Sequence, residues 1–269
     1  MTTLETTLDA TFDERRPSSW RILWLESKLE LLKVWRMPAF AVPTIAFPVL
    51  FYCLFGLSMN QTFPGGGTMA EYLLATYGVF GVVGAALFSF GVGVATERGQ
   101  GWLQVKRASP MPPAAYFLAK VFTCLVFALA IAGCLFALAA TAGGVRLAPG
   151  GWVLLAGLLV GGAIPFCAFG LALGTLCGPN SAPAVVNLIY LPMSFASGLW
   201  IPLRALPDFF QNVAPWLPPY HLAQLALKVV GFDEGGSLPV HLGALAAWTV
   251  VSLAIAVVAF RSSDDRTWG

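Results

Sequence analysis

The 269-residue chain is 58% hydrophobic and only 10% charged, with a formal net charge of +2 and a mean hydropathy of +0.77. A soluble domain of this size needs far more polar surface than that to cover its core, so the composition excludes an ordinary water-soluble fold and points to a lipid solvent. The basic residues form no continuous patch, which removes nucleic acid from the expected partners.

Residues 1–17, MTTLETTLDATFDERRP, are mostly polar and lack the apolar stretch of a signal peptide; they read as a cytoplasmic tail. From Ser18 to Arg36 the pattern predicts one helix, with Ser18 or Ser19 as N-cap. Trp20, Leu23, Trp24, Leu31, Val34 and Trp35 fall on one stripe of it, with Glu26 and Lys33 opposite and Glu30 near the edge. An aromatic stripe flanked by Lys and Arg suits a helix lying in the membrane interface.

Six apolar runs follow, each about the length that crosses a bilayer. They are expected at about 38–57, 72–95, 117–140, 152–176, 184–200 and 242–260. The fourth carries Gly157, Gly161, Gly170 and Gly174, a spacing that lets helix backbones approach closely in lipid. The five cysteines (Cys53, Cys124, Cys134, Cys167 and Cys177) lie in or beside apolar runs without metal or redox spacing and read as packing residues. No metal site is expected.

Orientation follows from the basic residues. With the N-terminus inside, twelve of them (Arg15, Arg16, Arg21, Lys28, Lys33, Arg36, Arg98, Lys106, Arg107, Lys120, Arg261, Arg266) lie on the cytoplasmic side, and three (Arg146, Arg204, Lys228) lie outside. That bias places both termini in the cytoplasm.

Two connections are unusual. The cytoplasmic one, 96–115, opens on Glu97 and Arg98, offers Trp102 and Leu103 as an apolar knob, and closes on Pro110, Pro112 and Pro113. A short helix of this kind, parallel to the membrane, suits docking into a groove on a soluble partner; a plain topology-fixing loop is the alternative. The outer one, 201–232, holds too many prolines for one helix and too many large apolar residues for a free loop. Short helices re-entering the outer leaflet, shielded by protein, reconcile the two.

In order and spacing, these segments resemble the permeases of ABC-2 type transporters. The resemblance is carried by ERGQGWLQVKRASPMPPAAYFLAK, by the entry helix ending in Arg36 and Pro38, and by GLWIPLRALPDFFQNVAPWLPPYH. It covers about Trp20 to Phe260 and implies an all-α, six-helix transmembrane domain over 18–269 that pairs with a second copy or a close relative. It also implies that Glu97, Arg98, Gly99, Gln100, Gly101, Trp102 and Leu103 form a coupling helix against a separate nucleotide-binding subunit. ATP and Mg²⁺ would then be bound by that subunit, since the chain has no G-x-x-x-x-G-K-[ST] phosphate loop. Trp102 and Gln104 depart from the Thr and acidic residue common in relatives.

The resemblance further implies an exporter in the bacterial inner membrane. Its path would be apolar, with Phe47, Phe51, Phe88, Phe166 and Phe195 as lining candidates and a hydrophobic or amphiphilic cargo. Two rival classes make different demands on the sequence. An ion-coupled transporter would place ionisable groups within its spans, and the middles of these have none, with Lys120 at an edge. An intramembrane serine protease would need Ser197 and His221 within hydrogen-bond reach. The sequon Asn60-Gln61-Thr62 is a weak outer-loop match.

Overall fold

The structure, a computed structural model, describes residues 18–265 apart from 60, 64–65, 109–110 and 233–234. The expected tail 1–17, Asn60 of the sequon, Pro110 and Arg266 lie outside the described residues. Ten helices are named here: α1 (Ser19–Trp35), α2 (Pro38–Gly56), α3 (Met69–Gly99), α4 (Trp102–Ala108), α5 (Pro113–Thr141), α6 (Pro149–Leu176), α7 (Ala182–Ala196), α8 (Asp208–Val213), α9 (Pro218–Val229) and α10 (Leu238–Asp265). A two-residue hairpin, β1 (Thr62–Phe63) with β2 (Gly67–Thr68), joins α2 to α3 in antiparallel register.

Five of these, α2, α3, α5, α6 and α10, are long and apolar enough to cross a membrane. The expected span at 184–200 is realised as the shorter α7, whose 15 residues rise roughly 22 Å. The helix stops early because Gly198 adopts φ 75°. Gly198 N–H then donates to Phe195 O and Leu199 N–H to Ser194 O, which closes the last turn. The expected re-entrant segment 201–232 appears as α8, α9 and two single 3₁₀ turns.

The core is organised around α3, nearly all of which is buried from Met69 to Leu87. It starts three residues earlier than the apolar pattern predicts, because Thr68 and Glu71 form a reciprocal capping box. Around α3 pack α2, α5, α6 and α9, with α10 against α6 and α1 along α5. Both α2 and α3 contain a π-helical turn, at Tyr52–Gly56 and Phe88–Val92. The second meets α6, where the glycines divide sharply. A Cβ on Gly174 would stand 2.7 Å from the Phe90 carbonyl oxygen, and one on Gly170 3.0 Å from that of Ala86. Gly157 and Gly161 face open space, so close packing belongs to the second pair alone. Gly174→Ala is expected to cost about 1–3 kcal/mol by overpacking, and Gly161→Ala nothing or a slight gain; thermal unfolding in detergent separates them.

Helix α1 keeps most of its aromatic stripe off the protein and packs through another face. The residues α1 buries against the protein are Ser27, Glu30 and Val34, whereas Trp20, Trp24 and Trp35 are exposed. Ser18 takes the N-cap position without a side-chain bond. Glu30, which the sequence puts near the stripe's edge, is at the centre of the packed face. The reason is electrostatic: Glu30 pairs there with Lys33 and Lys120.

At the opposite end of the molecule, His221 on α9 and His241 on α10 are both buried and in contact. The Pro215 carbonyl accepts from His221 Nε2 at 2.9 Å, which leaves His221 Nδ1 as the acceptor for His241 Nδ1–H, also at 2.9 Å. Both His221 nitrogens are thereby taken, so the Ser197–His221 pairing that a protease needs is not formed. Burial first, then the neighbouring His241, hold His221 below the usual imidazole pKa, against the pull of the Pro215 bond. A base with a lowered folded pKa leaves the unfolded chain binding more protons, so stability rises with pH. Stability is therefore expected to be complete above about pH 6.5 and to fall as pH drops from there toward the lowered folded value. Melting curves across that window test this, and His221→Asn should flatten the slope.

Candidate coupling and translocation site

The end of the molecule that carries α1 and α4 holds an ionic cluster drawn from three helices. Lys120 on α5, only 1% exposed, donates to Glu30 of α1 at 2.6 Å and to Glu97 of α3 at 2.8 Å. Lys33 of α1 reaches the same two carboxylates, Glu30 at 2.5 Å and Glu97 directly. Tyr116 OH donates to the second oxygen of Glu97 at 2.5 Å. Two carboxylates and two ammonium groups make the cluster neutral, and each charge has at least two partners, which is what burial of ions requires. Burial pulls the Lys33 ammonium down, but Glu30 and Glu97 outweigh it and hold its pKa above the ordinary lysine value.

This corrects the expected coupling segment. Glu97 and Arg98 do not open a surface helix; they end α3 and point inward, Arg98 donating to the Thr175 carbonyl near the end of α6. Gly99 lies against Pro179, where a Cβ would meet the ring at 2.5 Å. Gln100 is exposed, and Gly101 makes the turn at φ 77°, a conformation that favours glycine. Only after it does a separate helix, α4, begin. There Trp102 is 54% and Val105 61% exposed, one helical turn apart, while Leu103 is half-buried. Lys106 ties α4 back to Glu26 of α1 and lies 4.5 Å over the Tyr116 ring. The segment is thus an apolar knob on a short helix whose root is clamped to α1, α3 and α5. Lys120 lies in the first two turns of α5 and is buried there by its partners, and Val105 joins Trp102 in the knob.

A second feature is an apolar groove of about 450 Å³ along α2, α3 and α7. Phe47, Phe51 and Phe88 line it, as do Phe80, Tyr190 and Trp200, with Thr44 and Asn187 among its few polar groups. Phe51 stacks on Trp200 with centroids 5.9 Å apart, and Phe80 on Tyr190 at 5.0 Å. Tyr190 OH donates to the Phe80 carbonyl at 2.8 Å, fixing α7 to α3. Phe195 packs instead on Trp200 and Phe210, outside this lining. Phe166 is fully buried in the core and faces no groove. The outer faces of α2 and α7 leave Phe47, Leu50, Leu54 and Leu188 exposed beside the groove. No described group of three or more His, Cys, Asp or Glu side chains is placed to hold a metal ion.

The family model of the ABC-2 family transporter proteins matches residues 58–258, about three quarters of the chain. The chain belongs to that family. As an ABC-2 protein it is a multi-pass membrane protein and a transport component rather than an enzyme in itself. It is similar to the Bacillus subtilis (strain 168) protein named "Putative transport permease YvfS", 28% identical over 216 residues that cover 80% of this chain and 87% of the relative. The ABC-2 match begins just after α2 and runs from the hairpin into α10, so it includes α4, Glu97 and Lys120, while α1 with Glu30 and Lys33 precedes it.

Proposed function

We propose that the chain is the membrane permease of an ATP-driven exporter, docked through α4 on a separate ATPase subunit that binds ATP and Mg²⁺. The observation that carries this reading is the exposed pair Trp102 and Val105 on a short helix rooted in a buried ionic cluster. An apolar knob in water is costly unless a partner covers it, and large aromatics often anchor such interfaces. The clamp supplies the mechanical half. Through Lys106–Glu26, and through Glu97 to Lys33 and Lys120, displacement of α4 is passed to α1, α3 and α5.

In this reading the basic end faces the cytoplasm, with both termini there, and the membrane is a bacterial inner membrane. A second copy or a close relative faces the groove of α2, α3 and α7. Movement passed on from α4 changes the exposure of the space between the two grooves. Their apolar, aromatic walls suit a hydrophobic or amphiphilic cargo, and lipid surrounds the remaining spans. Tagged chain extracted in mild detergent is expected to bring its ATPase with it, and the Trp102→Ala chain to lose it. Full retention by the variant would contradict the docking site.

A further inference from the structure

Helix α1 sorts its charges by face. Its two acidic residues are turned to the protein and paired: Glu26 with Lys106 of α4, and Glu30 with Lys33 and with Lys120 of α5. Arg21 and Lys28, with Arg36 at the C-cap, are exposed instead, and among the described residues none of the three has an ion-pair partner. They follow one another at about two helical turns each, so they share one side of the helix. Around them Trp24, Leu25, Leu29, Leu32 and Trp35 are also exposed, by 39–62%, and α1 brings no acidic side chain to this face. The helix is held beside the spans. Trp35 packs on Phe127 of α5 with centroids 6.3 Å apart, and only Arg36 and Met37 separate α1 from α2.

We propose that this face of α1 binds anionic phospholipid, with headgroup phosphates on Arg21, Lys28 and Arg36 and the tryptophans and leucines among the upper acyl carbons. Long basic side chains reach phosphate while their methylene stems stay with lipid, and tryptophan rings sit at headgroup level. The apolar residues decide between lipid and a soluble acidic partner: five large apolar side chains interleaved with the cations are costly in water, and the helix cannot lift away from the spans. The cations decide the sign, because three positive charges without a counter-charge on their own face favour a net-negative headgroup over a zwitterionic one. Lipid on one side and Glu26 and Glu30 on the other then hold α1 between the membrane surface and the ionic cluster. The inference adds a ligand that the exporter reading does not name. It needs α1 at the membrane surface, but not the ATPase.

The test adds phosphatidylglycerol or phosphatidylcholine of the same acyl chains to purified full-length chain in non-ionic detergent and counts bound lipids by native mass spectrometry. The first phosphatidylglycerol is expected to bind about fivefold more tightly than phosphatidylcholine. The triple variant Arg21→Gln, Lys28→Gln, Arg36→Gln should bind the two lipids alike. The charge-keeping variant Arg21→Lys, Arg36→Lys should retain most of the preference, and Arg146→Gln, exposed beyond the far end of α5, should retain all of it. Glycerol phosphate at the lipid's concentration should displace neither lipid. Equal binding of the two lipids by the wild type, a preference that survives the triple variant, or displacement by glycerol phosphate would each overturn the proposal. Co-purification of the ATPase from the same preparations keeps the two readings apart. If the wild type prefers phosphatidylglycerol while the ATPase is absent, it is the exporter reading that fails. If the lipids bind alike and the triple variant loses the ATPase, the face is a protein contact and the lipid surface falls.

Discussion

Lys120→Met is expected to destabilise the protein by about 3–5 kcal/mol, which is the usual cost of leaving a buried ion without its partner. The substitution keeps the length of the side chain but removes one of two ammonium groups, so Glu30 and Glu97 remain buried with Lys33 alone between them. Both carboxylates are nearly inaccessible, at 4% and 9%, so water cannot replace the lost partner at low cost. Restoring neutrality should recover part of the loss. The double variant Glu30→Gln with Lys120→Met leaves Glu97 opposite Lys33 and is expected to be more stable than Lys120→Met alone. That non-additivity is what residues sharing one network show. Thermal unfolding of the wild type, Lys120→Met, Glu30→Gln and the double variant in the same detergent measures it. A Lys120→Met chain as stable as the wild type would mean that the cluster does not hold α1 to the bundle.

The sequence made the spans legible because lipid imposes a length and an apolarity that few other environments demand. Five of the six runs appear as helices long and apolar enough to cross a membrane, and the proline rhythm of 201–232 gave the broken run of short helices. What stayed hidden depends on contacts between distant residues. Glu30, Glu97 and Lys120 are 23 to 90 positions apart, and nothing in their local spacing says that they meet. In α1 the stripe of tryptophans was visible in the sequence and is exposed, but that Glu30 and Ser27 pack on the protein was not legible from periodicity. The glycines of α6 teach the same lesson. Gly157 and Gly161 have the same spacing as Gly170 and Gly174, yet only the latter pair meets another backbone. Of the five phenylalanines proposed for the path, Phe47, Phe51 and Phe88 line the groove. Phe166 lies in the core, because aromatic identity alone cannot distinguish the two environments.

Trp102→Ala carries the second large effect. If Trp102 is the anchor of the ATPase interface, its loss should weaken association by about 2 kcal/mol or more, roughly thirtyfold. Val105→Ala, one turn along the same face, should act in the same direction and less strongly, as a smaller side chain removes less buried area. Glu97→Gln is expected to differ in kind. It should lower the stability of the chain itself, because Glu97 is buried beneath the knob rather than presented on it. The control is Trp152→Ala at the far end of the molecule, where Trp152 packs on Phe136.

The most direct measurement places a photoreactive side chain at position 102, and in a second preparation at position 216, whose Trp is 78% exposed at the opposite end of the molecule. Illumination of intact membranes that contain the assembled transporter should cross-link position 102 to the ATPase subunit and position 216 to none of it. Absence of the ATPase adduct at 102, or its appearance at 216, would contradict the account.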